Sequence, residues 1–71
     1  ATIYTFNKNL YIYLNTPETA TIQVFNIMGN NIYNNTITEK NATINLTQYP
    51  AGSYIVQVKT NNKQFSKIIE L

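Results

Sequence analysis

Cysteine, histidine, aspartate and arginine are all absent from this chain, and their absence removes whole classes of function. Without cysteine there is neither a disulfide framework nor a thiolate zinc site. Without histidine the chain lacks the commonest general base and transition-metal ligand. The side-chain carboxylates are limited to Glu18, Glu39 and Glu70, which are far apart in the sequence and form no glycosidase-like pair. We therefore expect no catalytic site, no metal site and no cofactor.

The chain also has a small net charge and only short runs of apolar residues. Five lysines stand against three glutamates, so the net charge is only +2 at pH 7 and is scattered along the chain. With no arginine for bidentate phosphate contacts, this predicts no nucleic-acid partner. No apolar run approaches the roughly 18 residues that a membrane span needs. We expect one small domain, residues 1–71, and the missing initiator methionine suggests a piece of a larger protein.

The residues that are abundant are those of strands and turns. The chain has twelve Asn, ten Thr, ten Ile and six Tyr, and Thr, Ile and Tyr favour strands whereas Asn favours turns. Apolar and polar residues alternate with a period of two, as in half-buried strands. The alternation predicts ten core side chains: Leu10, Ile12, Leu14, Ile22, Val24, Ile44, Leu46, Tyr54, Val56 and Val58. Less regular runs at 2–6, 31–38 and 63–71 bring the total to about seven strands.

Turn signals separate these runs. Asn26 and Gly29 fit the first and fourth positions of a type I turn that leads into a bulge, where Gly29 supplies a positive φ. Pro50 and Gly52 fit the second and fourth positions of another turn. Short alternating strands with turns about every ten residues predict an all-β fold. We expect a small immunoglobulin-like antiparallel β-sandwich of about seven strands.

The hairpin before the last strand raises a register problem. Asn61 and Asn62 fit a two-residue loop with a positive φ at both. In that register Val58 faces Phe65, and Lys67 falls on the apolar face. A one-residue bulge would accommodate the lysine. An edge position, with the lysine stem along the core and its amine in water, would do so equally.

Five stretches of the sequence carry a resemblance to a known family. They are Leu-Tyr-Ile-Tyr-Leu at 10–14, Ile-Gln-Val-Phe-Asn-Ile-Met-Gly at 22–29, Ile-Asn-Leu at 44–46, Tyr-Pro-Ala-Gly-Ser-Tyr-Ile-Val-Gln-Val at 49–58 and Phe-Ser-Lys-Ile-Ile at 65–69. In this order they resemble the C-terminal sorting domain of the type IX secretion system (the Por secretion system) of Bacteroidota, in its type A form. Two features depart from that family. Its opening Pro-Asn-Pro-like segment is Phe-Asn-Lys-Asn at 6–9, and its pair of basic residues near the end is reduced to Lys67.

The resemblance implies a function without catalysis, as a C-terminal signal that directs a secreted cargo protein across the outer membrane. The implied partners are the outer-membrane translocon and a sortase that removes the domain at or upstream of Ala1. The implied location is the periplasm in transit and then the cell surface or the extracellular space. The sorting-signal candidates are Gly52, Tyr54, Lys67, Ile68 and Ile69.

Each of these candidate residues also has a purely structural interpretation. Gly52 and Tyr54 could serve sorting only by ending a turn and filling the core. The last strand, residues 63–71, could be an ordinary edge strand with Lys67 as a gatekeeper against edge pairing. It could instead be a strand that the secretion machinery recognises by adding to its edge. An exposed last strand would also permit a homodimer through that strand.

Aromatic residues suggest an alternative function. Tyr11 and Tyr13 fall on the predicted outer face of one strand, with Tyr33 expected nearby. Such a row fits a cross-strand ladder that stabilises the sheet. It would also fit a sugar-stacking platform, which would make the chain a carbohydrate-binding or adhesive β-sandwich module of a cell-surface protein.

Overall fold

The structure is a computed structural model that describes all 71 residues, and it contains seven β-strands and no helix. The strands are β1 (Thr2–Phe6), β2 (Asn9–Tyr13), β3 (Ala20–Asn26), β4 (Asn31–Ile37), β5 (Asn41–Asn45), β6 (Ser53–Lys59) and β7 (Gln64–Glu70). They form a three-stranded sheet in the order β1-β2-β5 and a four-stranded sheet in the order β4-β3-β6-β7. Every pairing is antiparallel, so the predicted fold class is confirmed. None of its elements is a helix that could cross a bilayer.

The core lies between the two sheets and consists of 13 buried hydrophobic residues. All ten side chains that the alternation predicts are among them, and Ile3, Ala20 and Ile69 complete the set. Successive side chains of a strand point to opposite faces, so the period-two pattern decides which face is buried. Full burial of a side chain such as Leu10 or Val56 contributes about 1.5–3 kcal/mol.

The β1–β2 hairpin uses a turn that the sequence analysis did not predict. Asn7 and Lys8 form its two-residue loop between the paired residues Phe6 and Asn9. Both loop residues have positive φ, 51° and 61°, as a type I′ hairpin turn requires. The hairpin brings β1 alongside β2 with every residue paired.

The β3–β4 turn has the geometry expected of residues 26–29. The amide of Gly29 donates to the Asn26 carbonyl at 2.9 Å, and Gly29 has a φ of +88°. The Asn26 side chain also accepts hydrogen bonds from the amides of Met28 and Asn30, at 3.0 and 2.9 Å. These bonds satisfy the amides of the turn, and Ile27 and Met28 are exposed at its tip.

The β6–β7 hairpin has the predicted register and no bulge, but its loop differs from the prediction. Neither Asn61 nor Asn62 has a positive φ. The Thr60 amide donates to the Lys63 carbonyl at 2.8 Å, and the Thr60 hydroxyl accepts from the Lys63 amide at 3.1 Å. Because a side chain supplies the second hydrogen bond, the loop closes without the backbone geometry that was expected.

Strands β1 and β7 are edge strands on the same side of the sandwich. Lys67 donates to the carbonyl of Ile3, and Thr5 donates to the carbonyl of Glu70. The residue numbers rise together along both strands, so β1 and β7 run in the same direction. Ala1 and Leu71 consequently lie at opposite ends of a body that measures 31 × 23 × 16 Å.

Candidate functional site

All five predicted sorting-signal residues lie on β7 or pair directly with it. Tyr54 faces Ile69 in the β6–β7 register. Just beyond the strand ends, Gly52 and Leu71 exchange two backbone hydrogen bonds, at 2.8 and 3.2 Å. The candidates therefore form one continuous region, which consists of the last strand and the residues that hold it.

Tyr54 acts from inside the core. Its side chain is only 6% exposed, and its hydroxyl donates to the carbonyl of Pro50 at 2.8 Å. A buried phenol needs a partner for its hydroxyl, and this partner lies four residues back in the loop before β6. The bond fixes the approach of that loop to the strand, so Tyr54 supports β7 by packing against Ile69.

Glycine is required at position 52 because of the backbone dihedral angle there, and not because a side chain would lack space. Its φ of +150° belongs to a region that essentially only glycine adopts, although a Cβ there would meet no atom within 4 Å. The predicted turn at Pro50 and Gly52 is a bend without a Tyr49–Gly52 hydrogen bond; the bonded turn lies earlier, from the Tyr49 amide to the Leu46 carbonyl at 3.1 Å. The difference arises because the Gly52 amide is taken by Leu71 instead.

The loop that carries the Pro-Ala-Gly-Ser-Tyr block is fastened to both sheets. Lys8 in the β1–β2 hairpin donates its amine to the Tyr49 carbonyl at 2.9 Å, and its own carbonyl accepts from the Leu46 amide at 2.9 Å. The Tyr49 hydroxyl reaches the Ile32 carbonyl in the other sheet at 3.1 Å. The sequence analysis missed Lys8 and Tyr49, since no local pattern connects residues so far apart in the chain.

Lys67 occupies the inward position that the hairpin register predicts, opposite Val56 and without a bulge. The edge alternative is therefore correct. Its amine is not left to water, however, because it donates to the backbone carbonyl of Ile3 at 2.5 Å. Lys67 thus joins the edge of one sheet to the edge of the other.

The outer edge of β7 presents unpaired backbone groups. Hydrogen-bonded pairs alternate along an antiparallel ladder, and both Lys63 and Leu71 bond towards the β6 side. The backbone N–H and C=O groups of the odd-numbered residues of β7 therefore form hydrogen bonds with β6. The even-numbered residues Gln64, Ser66, Ile68 and Glu70 turn their N–H and C=O groups to the open side, where only the Glu70 carbonyl has a partner, the Thr5 hydroxyl.

An apolar row on the outer face of the four-stranded sheet ends at this edge. Phe25 faces Ile55, and Ile55 faces Ile68. Ile68 is 69% exposed although it is a large aliphatic residue in the middle of a strand. The edge thus combines unpaired backbone with an exposed hydrophobic side chain.

A groove of about 510 Å³ runs between the edges of β1 and β7. Its lining residues are Ala1, Thr2, Ile3, Gln64, Phe65, Ser66 and Lys67. The groove is lined by residues 64–67 of β7, and beyond it the Thr5–Glu70 hydrogen bond covers the end of the strand.

The aromatic residues on the other sheet form a ladder with a different membership from the one predicted. Tyr4 stacks on Tyr11 with ring centroids 5.0 Å apart and on Tyr13 with centroids 6.2 Å apart, at interplanar angles of 18° and 16°. Tyr33 is not a member, since it lies on β4 in the opposite sheet and packs against the core. The rings are stacked on one another, as aromatic cross-strand neighbours often are.

The phenols of this ladder influence one another. A side-chain hydrogen bond with Tyr13 is the main cause that raises the pKa of Tyr4 above its ordinary value. Loss of solvent around the Tyr4 hydroxyl and the charges of Tyr13 and Tyr11 act in the same direction.

The structure contains no group of three or more His, Cys, Asp or Glu side chains that could hold a metal ion.

The comparisons with known proteins agree with this geometry. A crystal structure of a DUF3244 family protein with an immunoglobulin-like β-sandwich fold, from Bacteroides vulgatus ATCC 8482, is similar with a TM-score of 0.88. The two are 20% identical over 99% of this chain and 81% of the other, so the likeness shows the fold. No curated protein matches the chain. The family model described as "Secretion system C-terminal sorting domain" matches residues 6–70. This chain therefore belongs to the C-terminal sorting domains of type IX secretion.

Proposed function

We propose that this chain is a non-catalytic signal that carries an attached cargo protein through the periplasm and across the outer membrane by the type IX secretion translocon. The family match over residues 6–70 supports export to the cell surface or the extracellular space. The structural observation that carries the proposal is the free outer edge of β7, where unpaired backbone groups lie beside the exposed Ile68.

The sorting residues divide into two groups by what they contact. Gly52, Tyr54 and Ile69 hold the strand in place through backbone pairing and core packing. The side chain of Ile68 faces outward and is exposed, so a partner could contact it. Lys67 belongs to the first group, because its amine is bound to the Ile3 carbonyl. Recognition is accordingly assigned to the outer side of β7.

The test is a neutral reporter fused ahead of Ala1 through a flexible Gly/Ser linker and expressed in a host with type IX secretion. The wild-type domain should bring the reporter to the cell surface. Deleting the last five residues is a poor probe, because it also removes the buried Ile69 and the Leu71 pairing. Ile68→Ser changes only an exposed side chain and should leave the reporter in the periplasm with the domain folded.

The matched control is Ile27→Ser, which removes an equally large side chain that is 80% exposed on the β3–β4 turn. It should leave surface display unchanged. Equal display of Ile68→Ser and wild type would contradict recognition at β7. Failure of the wild-type fusion to reach the surface would contradict the sorting function itself.

We further propose that a sortase removes the domain once the cargo has crossed. The polypeptide that precedes a C-terminal sorting domain joins it at the β1 end, beside the groove. Mass spectrometry of the displayed reporter should find it without residues 1–71. A displayed reporter that keeps the whole domain would contradict removal.

A further inference from the structure

We infer that the open half of the β7 edge, residues 64–68, accepts one extended strand of a secretion-machinery protein, which adds to the four-stranded sheet beyond β7. This inference rests on the proposed sorting function and specifies how the domain is recognised. The partner is defined by its chemistry, as an uncharged, extended segment with apolar side chains at alternate positions.

The outer edge of β7 has free backbone donors and acceptors that an added strand would pair with. Gln64, Ser66 and Ile68 each turn an N–H and a C=O away from β6, and no element of this chain pairs with them. Edge strands are usually protected by proline, bulges or outward charges. Proline, bulges and outward charges are all absent from this stretch, and its one charge is the inward-pointing Lys67, whose amine is bound to the Ile3 carbonyl. An extended peptide is the ligand that satisfies alternating donors and acceptors of this kind.

The closed half of the edge sets the length of the added strand. Lys67 is an inward-pointing charge, which is a known protection against edge pairing. Here its amine is engaged by Ile3, and Thr5 engages the Glu70 carbonyl. The Thr5 bond covers the end of β7 at Glu70, whereas the outward backbone groups of residues 64–68 stay free beside the groove. The strand therefore has room for about five residues.

Side-chain chemistry on the two faces predicts the partner's pattern. On the outer face, the row of Phe25, Ile55 and Ile68 ends at the edge and would continue into an apolar residue of the partner. On the inner face, the groove exposes the half-buried Phe65 next to the buried Ile3. Alternate residues of an added strand point to these two faces, so both sets should be apolar.

The other free edges of the molecule are poorer candidates. The edge strand β4 is interrupted by an irregularity opposite Val24 and Phe25. The edge strand β5 presents only Asn41, Thr43 and Asn45 on its outer face. The edge strand β1 borders the same groove, but the outward carbonyl of Ile3 in its middle is already bound by the Lys67 amine. The β7 edge joins a regular backbone with free groups at Gln64, Ser66 and Ile68 to an apolar row and a groove.

Ser66→Pro tests the inference. Proline removes the outward amide of Ser66 but none of the bonds to β6, and edge strands tolerate proline at such positions. Ser66→Ala keeps the amide and serves as the first control. Thr43→Pro serves as the second, because it removes an outward amide in the middle of β5, on the far side of the other sheet.

In the reporter assay, Ser66→Pro should lower surface display by about tenfold or more, since one backbone hydrogen bond and the close approach of the partner are both lost. Ser66→Ala and Thr43→Pro should display like wild type. Thermal unfolding of the domain establishes that each variant is folded, and Gln64→Pro, which also removes an outward amide, replaces Ser66→Pro if the latter loses stability.

Normal display of a folded Ser66→Pro or Gln64→Pro variant, with wild type also displayed, would overturn the inference and leave the sorting function intact. Concentration-dependent dimers of the wild-type domain that are lost in Ser66→Pro would assign the edge to a second copy and would equally overturn it. If the wild-type fusion is not displayed, the sorting function fails first.

Discussion

The Lys67 amine and the Ile3 carbonyl oxygen lie 2.5 Å apart, and this hydrogen bond joins the two sheets where each has an edge strand. Lysine is rarely found on the inner face of a strand unless its amine finds a polar partner at the rim. Here Lys67 pairs with Val56 in the β6–β7 register, and although the residue as a whole is exposed, its amine ends on the backbone of the other sheet.

Lys67→Met should lower the free energy of unfolding by about 1 kcal/mol, because it keeps the apolar stem and removes the hydrogen bond. Lys67→Ala should cost more, since the packing of the stem is lost as well. Urea unfolding measures both. Lys63→Met, in the exposed β6–β7 loop, is the control and should change stability by less than about 0.5 kcal/mol. An unchanged urea midpoint for Lys67→Met would show that the bond contributes nothing.

Tyr54→Phe should cost about 1 kcal/mol, since it deletes the hydroxyl that donates to Pro50 and leaves the ring in the core. Tyr54→Ala should cost about 3–5 kcal/mol because it also opens a cavity against Ile69. Tyr33→Phe provides a control on a partly buried ring. The interpretation is wrong if denaturant unfolding finds Tyr54→Phe as stable as wild type.

Gly52→Ala should destabilise the domain by about 1–3 kcal/mol through backbone strain alone, because there is space for the added methyl group. The strain falls on the residue that pairs with Leu71, so amide hydrogen exchange at Leu71 should accelerate. Ala51→Ser, at the exposed neighbouring position, should do neither. A variant with wild-type stability and exchange would mean that the positive φ is not required.

The Tyr4 phenol should ionise at higher pH than a free tyrosine, because its hydrogen bond with Tyr13 favours the neutral form. Ultraviolet titration of the phenolates measures this, with Tyr4→Phe identifying the component that disappears. Tyr13→Phe should return the pKa of Tyr4 towards its ordinary value.

The same shift has a consequence for stability. A pKa that is raised on folding adds stability below the unfolded value near 10, and this stability is lost as pH rises through the higher folded value. The wild type should therefore lose more stability above pH 10 than Tyr4→Phe does. Equal losses in the two proteins would contradict the coupling.

The sandwich and its core could be predicted because alternation is a local property. Leu10, Ile12 and Leu14 identify one buried face without knowledge of any other strand. The position of Lys67 followed from the hairpin register, which depends only on the loop length between two strands. What the lysine binds did not follow, because Ile3 reaches it only after both sheets are assembled.

The features that were missed depend on assembly or on backbone shape. Tyr33 was expected beside Tyr11, but strand order determines neighbours, and β4 belongs to the opposite sheet. The ring that does stack on Tyr11 belongs to Tyr4, in a run with weaker alternation. The type I′ loop contains Lys8, although lysine rarely adopts a positive φ. Asn61 and Asn62, whose residue type favours a positive φ in a hairpin loop, both have a negative φ.

Ala1 and Thr2 form one wall of the groove beside the open stretch of β7. A polypeptide joined ahead of Ala1 would begin beside Gln64 and Ser66. A bulky passenger held on a short tether would shield that stretch sterically, whereas slack polypeptide ahead of Ala1 would let the passenger swing clear. We therefore expect the length of any polypeptide joined ahead of Ala1 to influence how accessible the open stretch of β7 is.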